Sequence, residues 1–431
     1  MPRPPVSRIG STLAGLTAAA CAAGLVAATA PASAAGPAGT RAAASYPNLA
    51  PTPPMGWNNW SYYQCGELSE RVVLDNARAL VSSGLAHRGY RTVTVDDCWM
   101  TKQRGPKGEL VADTAKFPHG MAYLGQELHR MGLKFGIYED VGTLTCGKYP
   151  GSLGHFAQDA RQFASWGVDY LKADGCNVPV PQGQSKERVF HDLYAQQSRA
   201  LRATGRPITF SISAPAYFQF AGDQVWHQVI RWSAQLGNLW RGGKDIAVQQ
   251  SSPAAKWASI AYNFRYNANL ADLQRPGRWN DPDFLLVGDS GLSRDEMQSQ
   301  MSLWAVMAAP LISSTDLTRL SPGALAILGN REVIAVNQDP LGVQGHIVQQ
   351  DGDAVVLAKP LRDGDRAIAL FNGGDRARTL SLTAGAAGLP EADSYRVRDL
   401  VTGRSGRVAR TIVARDVPPH ATVLYRVRPE R

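Results

Sequence analysis

An aspartate closes each of several short apolar runs in this chain. Val93-Thr94-Val95 leads into Asp96-Asp97, and Tyr170-Leu171-Lys172-Ala173 into Asp174. Trp240-Arg241 is followed closely by Asp245, and Trp279-Asn280 by Asp281-Pro282-Asp283. Short, continuously apolar runs read as strands buried on both faces, the texture of a parallel sheet. Six such runs stand out: Val93–Asp97, Lys134–Glu139, Asp169–Asp174, Ile208–Ser213, Asn238–Arg241 and Ala308–Ser313. Segments of helical period separate them, most clearly Glu70–Ser83, Tyr123–Met131, Phe156–Trp166, Val189–Thr204 and Glu296–Ala308. Repeated βα units at this spacing build a parallel sheet. With Pro54–Trp57 and Gly277–Trp279 the strand count approaches eight, which favours a closed (β/α)8 TIM barrel over an open sheet. Such a barrel carries its chemistry at the C-terminal ends of its strands, where these aspartates fall.

The pattern changes after Pro340-Leu341-Gly342. His346–Gln349, Ala354–Ala358, Arg366–Phe371, Thr379–Leu382, Ser394–Asp399, Arg410–Val413 and Ala421–Val427 alternate apolar and polar residues between Gly, Asp and Pro, with no helical stretch. The expectation is a barrel over 50–340 and a C-terminal antiparallel β-sandwich over 341–431.

The N-terminus reads as a secretory signal peptide over 1–34. Arg3 and Arg8 form the positive region, Leu13 to Ala28 the apolar region, and Ala32-Ser33-Ala34 the cleavage site. A membrane anchor is the competing reading, but the run is short, rich in small residues and ends at a cleavage site. Cys21 lacks the bulky residue three places before it that a lipidated cysteine would have. Residues 35–49 begin rich in Ala, Gly and Pro and are expected to form a flexible leader. Removal of 34 from 431 residues leaves roughly 397, enough for a large barrel and a small second domain. At 44% hydrophobic residues the chain can bury a substantial core. The net charge of +9 falls to +7 without Arg3 and Arg8, and the basic residues are scattered, so neither a nucleic-acid face nor a membrane surface is expected. Without Cys21, the cysteines are Cys65, Cys98, Cys146 and Cys176. In an exported chain these favour two disulfides, with three possible connectivities, and no CxxC or CxxH spacing supports zinc.

Carboxylates gathered among tryptophans and tyrosines suit a pocket that binds a sugar and cleaves its glycosidic bond. That chemistry needs one carboxylate to attack the anomeric carbon and another to protonate the leaving oxygen. Lys172 and Asp174 lie two apart on a strand and share a face, so the lysine is expected to lower the Asp174 pKa. A barrel salt bridge is the competing explanation. Asp245 lies four residues after Arg241 in a Gly-Gly loop, where burial and a second carboxylate would raise its pKa for acid/base work. Its alternative is a helix N-cap before Ile246. Asp96 and Asp97 can accept hydrogen bonds from sugar hydroxyls. A metal site built from Asp96, Asp97, Asp281 and Asp283 is the rival, without a supporting calcium-loop pattern. Trp57, Trp60, Trp99, Tyr138 and Tyr217 fall at or near strand ends, where aromatic faces could hold a pyranose ring.

Seven motifs occur in the order and spacing of one family. They are Thr52-Pro53-Pro54-Met55-Gly56-Trp57, Val95-Asp96-Asp97-Cys98-Trp99, Phe117-Pro118-His119-Gly120, Gly136-Ile137-Tyr138, Tyr170-Leu171-Lys172-Ala173-Asp174-Gly175-Cys176, Trp279-Asn280-Asp281-Pro282-Asp283 and Ala335-Val336-Asn337-Gln338-Asp339-Pro340-Leu341-Gly342. Over about residues 50 to 345 the chain resembles the α-galactosidase and α-N-acetylgalactosaminidase family, the melibiase-type enzymes of glycoside hydrolase family 27. The resemblance implies a (β/α)8 barrel with a C-terminal β domain, no metal or organic cofactor, and a secreted exo-glycosidase using double displacement. It implies Asp174 as nucleophile and Asp245 as acid/base. Asp96 and Asp97 would hold the 4- and 6-hydroxyls of a galacto-configured ring, with Trp60, Tyr138, Lys172, Arg241 and Asp283 completing the pocket. The implied disulfides are Cys65–Cys98 and Cys146–Cys176.

Ser211 to Tyr217 align with the loop that meets the sugar's 2-substituent. Galactose-specific relatives resemble a pattern with a bulky acid at position 213 and a larger aliphatic at 216. Ser213 and Ala216 resemble the N-acetylgalactosamine pattern, since small side chains leave room for an acetamido group, and Tyr217 adds a polar contact. Ile212, Ala214 and Phe284 depart from the family's usual cysteine, tryptophan and methionine. The sequence therefore leans to α-N-acetylgalactosaminides, with plain α-galactosides or β-L-arabinopyranosides as alternatives. A non-catalytic carbohydrate-binding protein is the alternative from another class; the retention of both Asp174 and Asp245 speaks against it. The expected partner is a carbohydrate substrate, and the oligomeric state is open.

Overall fold

A computed structural model describes residues 45–430 except 290. The expected signal peptide and the leader up to residue 44 lie outside the described residues. Within residues 45–49, the end of the expected leader, Tyr46 is buried and donates from its hydroxyl to Ile208 O at 2.6 Å and from its amide to Gln235 O at 2.9 Å.

Eight parallel strands form the first sheet: β1 (Met55–Asn58), β2 (Thr92–Val95), β3 (Lys134–Asp140), β4 (Tyr170–Asp174), β5 (Thr209–Ile212), β6 (Leu239–Arg241), β7 (Trp279–Asp281) and β8 (Leu311–Ser313). Each pairs with its sequence neighbour from β1 to β7, and β1 also pairs with β8. The ring closes just beyond β7, where Leu285 N donates to Ile312 O at 2.8 Å and Leu285 O accepts from Ser314 N at 3.0 Å. Every residue of β1, β2, β5, β6, β7 and β8 is buried, as continuous apolar runs require. Gly56 is forced by this closeness: a Cβ there would lie 2.0 Å from Thr92 O on β2.

Serine caps start several of the intervening helices. Ser69 accepts from Val72 N ahead of Glu70–Ser82, and Ser293 forms a reciprocal capping box with Glu296 ahead of Arg294–Val306. Helices Asp223–Leu236 and Pro253–Ala268 complete the ring between β5 and β7. The second lacks a clean apolar stripe because Lys256 and Asn263 are buried beside its apolar residues, of which Trp257 stacks on His420 at 4.5 Å and Phe264 meets Phe371 at 5.4 Å.

The C-terminal strands are β9 (His346–Asp351), β10 (Ala354–Pro360), β11 (Arg366–Asn372), β12 (Arg378–Thr383), β13 (Ser394–Asp399), β14 (Ser405–Val408), β15 (Thr411–Val417) and β16 (Thr422–Glu430). Six of them form an antiparallel sheet in the order β14-β13-β16-β11-β10-β9, and β12 pairs with β15. The expected β-sandwich is observed, with β14 added. Its Ser405-Gly406-Arg407-Val408 sequence gives no apolar alternation because it is an exposed edge. Val356, Ile368, Leu370, Leu382 and Ile412 form the core between the two sheets. The opposite face of the large sheet, with Val355, Leu357, Ala369, Phe371 and Leu424, merges with the barrel's core.

Candidate active site

The ends of β3 and β4 lie side by side, and Asp140 is the register partner of Asp174. Tyr138 precedes Asp140 by two residues and shares its face. Its hydroxyl donates to Asp174 Oδ2 at 3.3 Å, and the Tyr217 hydroxyl donates to Asp174 Oδ1 at 2.5 Å. Two phenols thus grip one carboxylate. Gly175 permits this approach, because a Cβ there would lie 2.7 Å from the Phe190 ring and 3.2 Å from the Tyr217 ring. Burial, then the charge of Asp174, raises the pKa of both phenols, so they remain donors at ordinary pH.

Lys172 was expected to serve Asp174. Its buried ammonium instead bonds Asp96 Oδ2 at 2.8 Å. Burial acts to lower the lysine's pKa, but Asp96 and then Asp174 outweigh it and hold the pKa above its ordinary value. Asp96 also accepts from Asn58 Nδ2 at 2.6 Å, and Asn58 Oδ1 accepts from Trp60 N at 2.7 Å. The chain turns at Cys98, which has φ +74°. Asp97 therefore points elsewhere, accepting from Gly147 N at 2.7 Å and Cys98 N at 2.6 Å. Burial raises its pKa against those amides.

Arg241 ends β6 and is buried. One nitrogen, Nη2, reaches Asp245 Oδ1 at 3.0 Å and Asp283 Oδ2 at 2.9 Å. Asp283 adopts φ +78°, and its Oδ2 also accepts from Ile246 N at 2.7 Å, which ties the loop after β6 to the loop after β7. Burial pushes the Asp283 carboxyl up to about 6 despite Arg241. The sequence reading had the Asp245 pKa raised. Desolvation by the surrounding cavity wall does act in that direction, but the Arg241 guanidinium and the Lys172 ammonium hold it below the usual carboxylate range. Nor does Asp245 cap a helix: residues 244–248 are irregular, and the next helix starts at Pro253 behind Ser252.

These two clusters share a cavity of about 390 Å³ at the C-terminal end of the barrel. Asp174, Arg241 and Asp245 line it, with Ser213, Ala216 and Tyr217 from the loop after β5 and Cys146 and Cys176 at one side. The Asp245 side chain is 77% exposed within this concave wall. The Ser213 hydroxyl is buried and has no hydrogen-bond partner among the described residues. Tyr138, Lys172, Asp96 and Asp283 do not line the cavity and join it through the bonds above. Trp60 is linked only through its backbone, and Asp97 through the Gly147 amide beside Cys146. The disulfides pair Cys65 with Cys98 and Cys146 with Cys176. A second cavity of about 250 Å³ opens near Pro53, Arg91 and Lys134. Its one lining carboxylate, Asp169, is already bonded to His129 and Arg206.

Asp140 was absent from the sequence-derived set, although Phe135 to Asp140 has the same signature of an apolar run ending in acid. It accepts from Gly142 N at 2.6 Å and Cys176 N at 2.8 Å. Burial and the neighbouring Asp174 charge push it up to about 9. Asp140, Cys146, Asp174 and Cys176 place donor atoms within 4.8 Å of one another. Both sulfurs are consumed in the Cys146–Cys176 disulfide, so this set does not fit a thiolate-bound metal. The four carboxylates of the rival metal reading are likewise divided, Asp96 to Lys172 and Asp283 to Arg241.

Comparison with known proteins agrees with this geometry. Residues 52–339 match the family described as alpha galactosidase A, and residues 351–427 match the alpha galactosidase C-terminal beta sandwich domain. An alpha-galactosidase A of Aspergillus niger is 42% identical over 383 residues, covering 88% of this chain and 70% of that protein. The crystal structure of alpha-galactosidase I from Mortierella vinacea superposes with a TM-score of 0.80 at 34% identity, over 89% of this chain and 98% of that one. An α-galactosidase from Saccharomyces cerevisiae, solved with raffinose, gives 0.79 at 28% identity over 90% of this chain and 100% of the other.

Proposed function

The chain belongs to the alpha galactosidase A family of glycoside hydrolases, and from that premise we propose that it is a secreted, retaining exo-glycosidase that removes terminal α-linked galactose. One observation carries the reading: two carboxylates in opposite electrostatic settings line the same cavity, Asp174 held by two phenols and Asp245 exposed beside Arg241.

Asp174 is the nucleophile. The hydrogen bonds from Tyr138 and Tyr217 fix both oxygens for the attack. As Asp174 attacks the anomeric carbon, Asp245 gives its proton to the departing glycosidic oxygen. Asp245 then takes a proton from water, which attacks the same carbon and releases Asp174. The carboxylate held low in the free protein must gain a proton in the complex. Substrate entering between Arg241 and Asp245 supports that change by adding desolvation. Arg241, Ser213 and Tyr217 offer donors and acceptors to the ring hydroxyls at the cavity wall, while Asp96, Lys172 and Asp283 hold the charges behind it and Tyr138 acts through its bond to Asp174. The apolar leader at residues 1–34 supports export, as do two disulfides.

A second reading is favoured by Ser213 and Ala216. The unpartnered Ser213 hydroxyl and the small Ala216 side chain on the cavity wall suit a 2-acetamido group, whose carbonyl would satisfy the serine. The test is kcat/KM for nitrophenyl α-galactoside against nitrophenyl α-N-acetylgalactosaminide. A preference for galactose supports the first reading. A preference for the N-acetylated sugar replaces it with the second. Absence of turnover on both overturns both.

A further inference from the structure

The cavity of about 250 Å³ near Pro53 lies at the opposite end of the barrel from the chemistry. Arg91 and Asp169, which line it, immediately precede β2 and β4, and Lys134 opens β3. Tyr170, the first residue of β4, lines this cavity, whereas Asp174, the last residue of the same strand, lines the other. A strand's length, roughly 13 Å, separates the two. Backbone contacts fix the walls. Pro53 O accepts from Gln338 Nε2 at 2.9 Å and Pro54 O from Leu311 N at 2.9 Å, which holds the proline-rich segment across the barrel mouth. Arg91 N donates to Met55 O at 3.0 Å and Lys134 N to Arg91 O at 2.7 Å, so the two cations stand on neighbouring strands. Asp169 is taken by other donors: Oδ1 accepts from Arg206 Nη2 at 2.6 Å, while Oδ2 accepts from Phe135 N at 2.9 Å and lies 2.7 Å from His129 Nε2. Among the described residues the Arg91 guanidinium bonds only Ala86 O, through Nε at 3.5 Å. The rim therefore carries two exposed cations beside a floor of buried Ala50, Pro53, Met55 and Tyr170.

We propose that this cavity binds a small aromatic carboxylate, with its ring on the apolar floor and its charged group between Arg91 and Lys134. Charge complementarity selects the anion, since a guanidinium and an ammonium on adjacent strands can both donate to one carboxylate. Volume selects the size: a closed pocket of roughly 150 Å³ accepts a benzene ring, and the larger space here adds room for a carboxyl group. The floor favours an aromatic body over an aliphatic one, because the Met55 thioether and the Tyr170 ring both make favourable contacts with aromatic faces. The hydroxyls of Thr92 and Thr209, also on the lining, can donate to the same carboxylate. The N-terminal face of such a barrel serves stability rather than catalysis. A ligand there stabilises the fold by mass action and leaves turnover at the far end unchanged.

The test is isothermal titration of the full mature chain with benzoate and with benzyl alcohol, which keeps the ring and lacks the charge, at one ionic strength. One benzoate per chain is expected, bound at least about tenfold more tightly than benzyl alcohol, with a rise in Tm that follows its saturation. Arg91→Gln and Lys134→Gln, both at exposed positions, are each expected to weaken benzoate about tenfold, the scale of one charge-assisted contact. Both are expected to leave melibiose hydrolysis within about twofold of wild type, because neither residue reaches the Asp174 cavity. Benzoate that fails to bind, binds both variants as tightly as wild type, or is matched by benzyl alcohol overturns the proposal. Benzoate that inhibits melibiose hydrolysis competitively, with undiminished affinity in both variants, sits in the Asp174 cavity and overturns it as well.

Discussion

Lys359 gives the sharpest energetic prediction. It lies on β10, fully buried, with no hydrogen-bond partner for its Nζ among the described residues. Val355 and Leu357 on the same face belong to the core shared with the barrel, so the amine sits in the seam between the two. Burial lowers its pKa from 10.5 to about 7, with the charge of Asp339 opposing. The gap of about 3.5 pH units corresponds to roughly 5 kcal/mol at 1.36 kcal/mol per unit. The sign follows from the depressed folded pKa. Above pH 10.5 the amine is neutral in both states and folding bears no charging penalty. As pH falls to about 7 the unfolded chain takes up the proton first, and stability drops by about 1.4 kcal/mol per pH unit. Below about 7 the loss is complete. Lys359→Met keeps the apolar stem and removes the titration. Its stabilisation relative to wild type is expected to be roughly 5 kcal/mol at pH 6.5 and roughly 2 kcal/mol at pH 9. With an unfolding entropy near 2.1 cal/mol/K per residue over about 390 residues, the Tm gain shrinks by about 4 °C across that range. Calorimetry of the full mature chain at pH 6.5, 7.5 and 9 measures it. A Tm difference that stays constant with pH refutes the reasoning, because the amine would then be charged or solvated in the fold.

Three further outcomes follow from the site. Asp174→Asn is expected to abolish turnover, whereas Asp245→Asn loses about 10²–10⁴-fold on melibiose and far less on a nitrophenyl galactoside, whose leaving group needs little protonation; kcat/KM on the two substrates separates them. Ser213→Glu combined with Ala216→Leu should lower kcat/KM for the nitrophenyl N-acetylgalactosaminide about 100-fold and for the galactoside less than tenfold, by filling the space beside the 2-position. Replacing Cys146 and Cys176 by Ala opens a loop spanning 30 residues and should cost roughly 3–4 kcal/mol, read as a lowered Tm, together with a lower kcat as the wall beside Asp174 loosens.

The barrel was legible because six of its eight strands are buried at every residue and β3 and β4 at all but one, which favours short apolar runs. The positions of Asp174 and Asp245 on one cavity follow from that topology, since strand ends converge wherever their side chains point. What a given cation pairs with was not legible. Lys172 is two residues from Asp174, yet its amine turns inward to Asp96 on β2, because side-chain length and barrel curvature decide the partner. Arg241 likewise joins Asp283, 42 positions away, at 2.9 Å. The helix Pro253–Ala268 hid for a related reason: Lys256 and Asn263 are buried in it, and its apolar residues serve both the barrel and the β-domain. Edge strand β14 carried no alternation to read.

Asp140 shows why the charge balance of the cavity matters as much as its membership. Asp96, Asp174, Asp245, Asp281 and Asp283 surround the cations Lys172 and Arg241, with Asp97 and Asp140 farther out and Lys244 a third cation on the cavity wall. Seven ionised carboxylates against three cations would repel one another. The fold relieves this by burial: Asp97, Asp140, Asp281 and Asp283 all have raised pKa values, Asp140 to about 9. Asp140, neutral at ordinary pH, lies beside Asp174 without adding a second negative charge to it. The cavity wall then carries Asp174 and Asp245 against Arg241 and Lys244 and stays rich in acceptors. That balanced composition suits a neutral polyol, whose hydroxyls donate to carboxylates. Asp140→Asn keeps the side-chain volume and the acceptor for Cys176 N but turns an NH2 toward Gly142 N, so it is expected to lower Tm while sparing melibiose hydrolysis at pH 5–7. If Asp140 were ionised there and stabilised positive charge in the transition state, the same substitution would lower kcat by the order of 10²-fold, as loss of one electrostatic contact does.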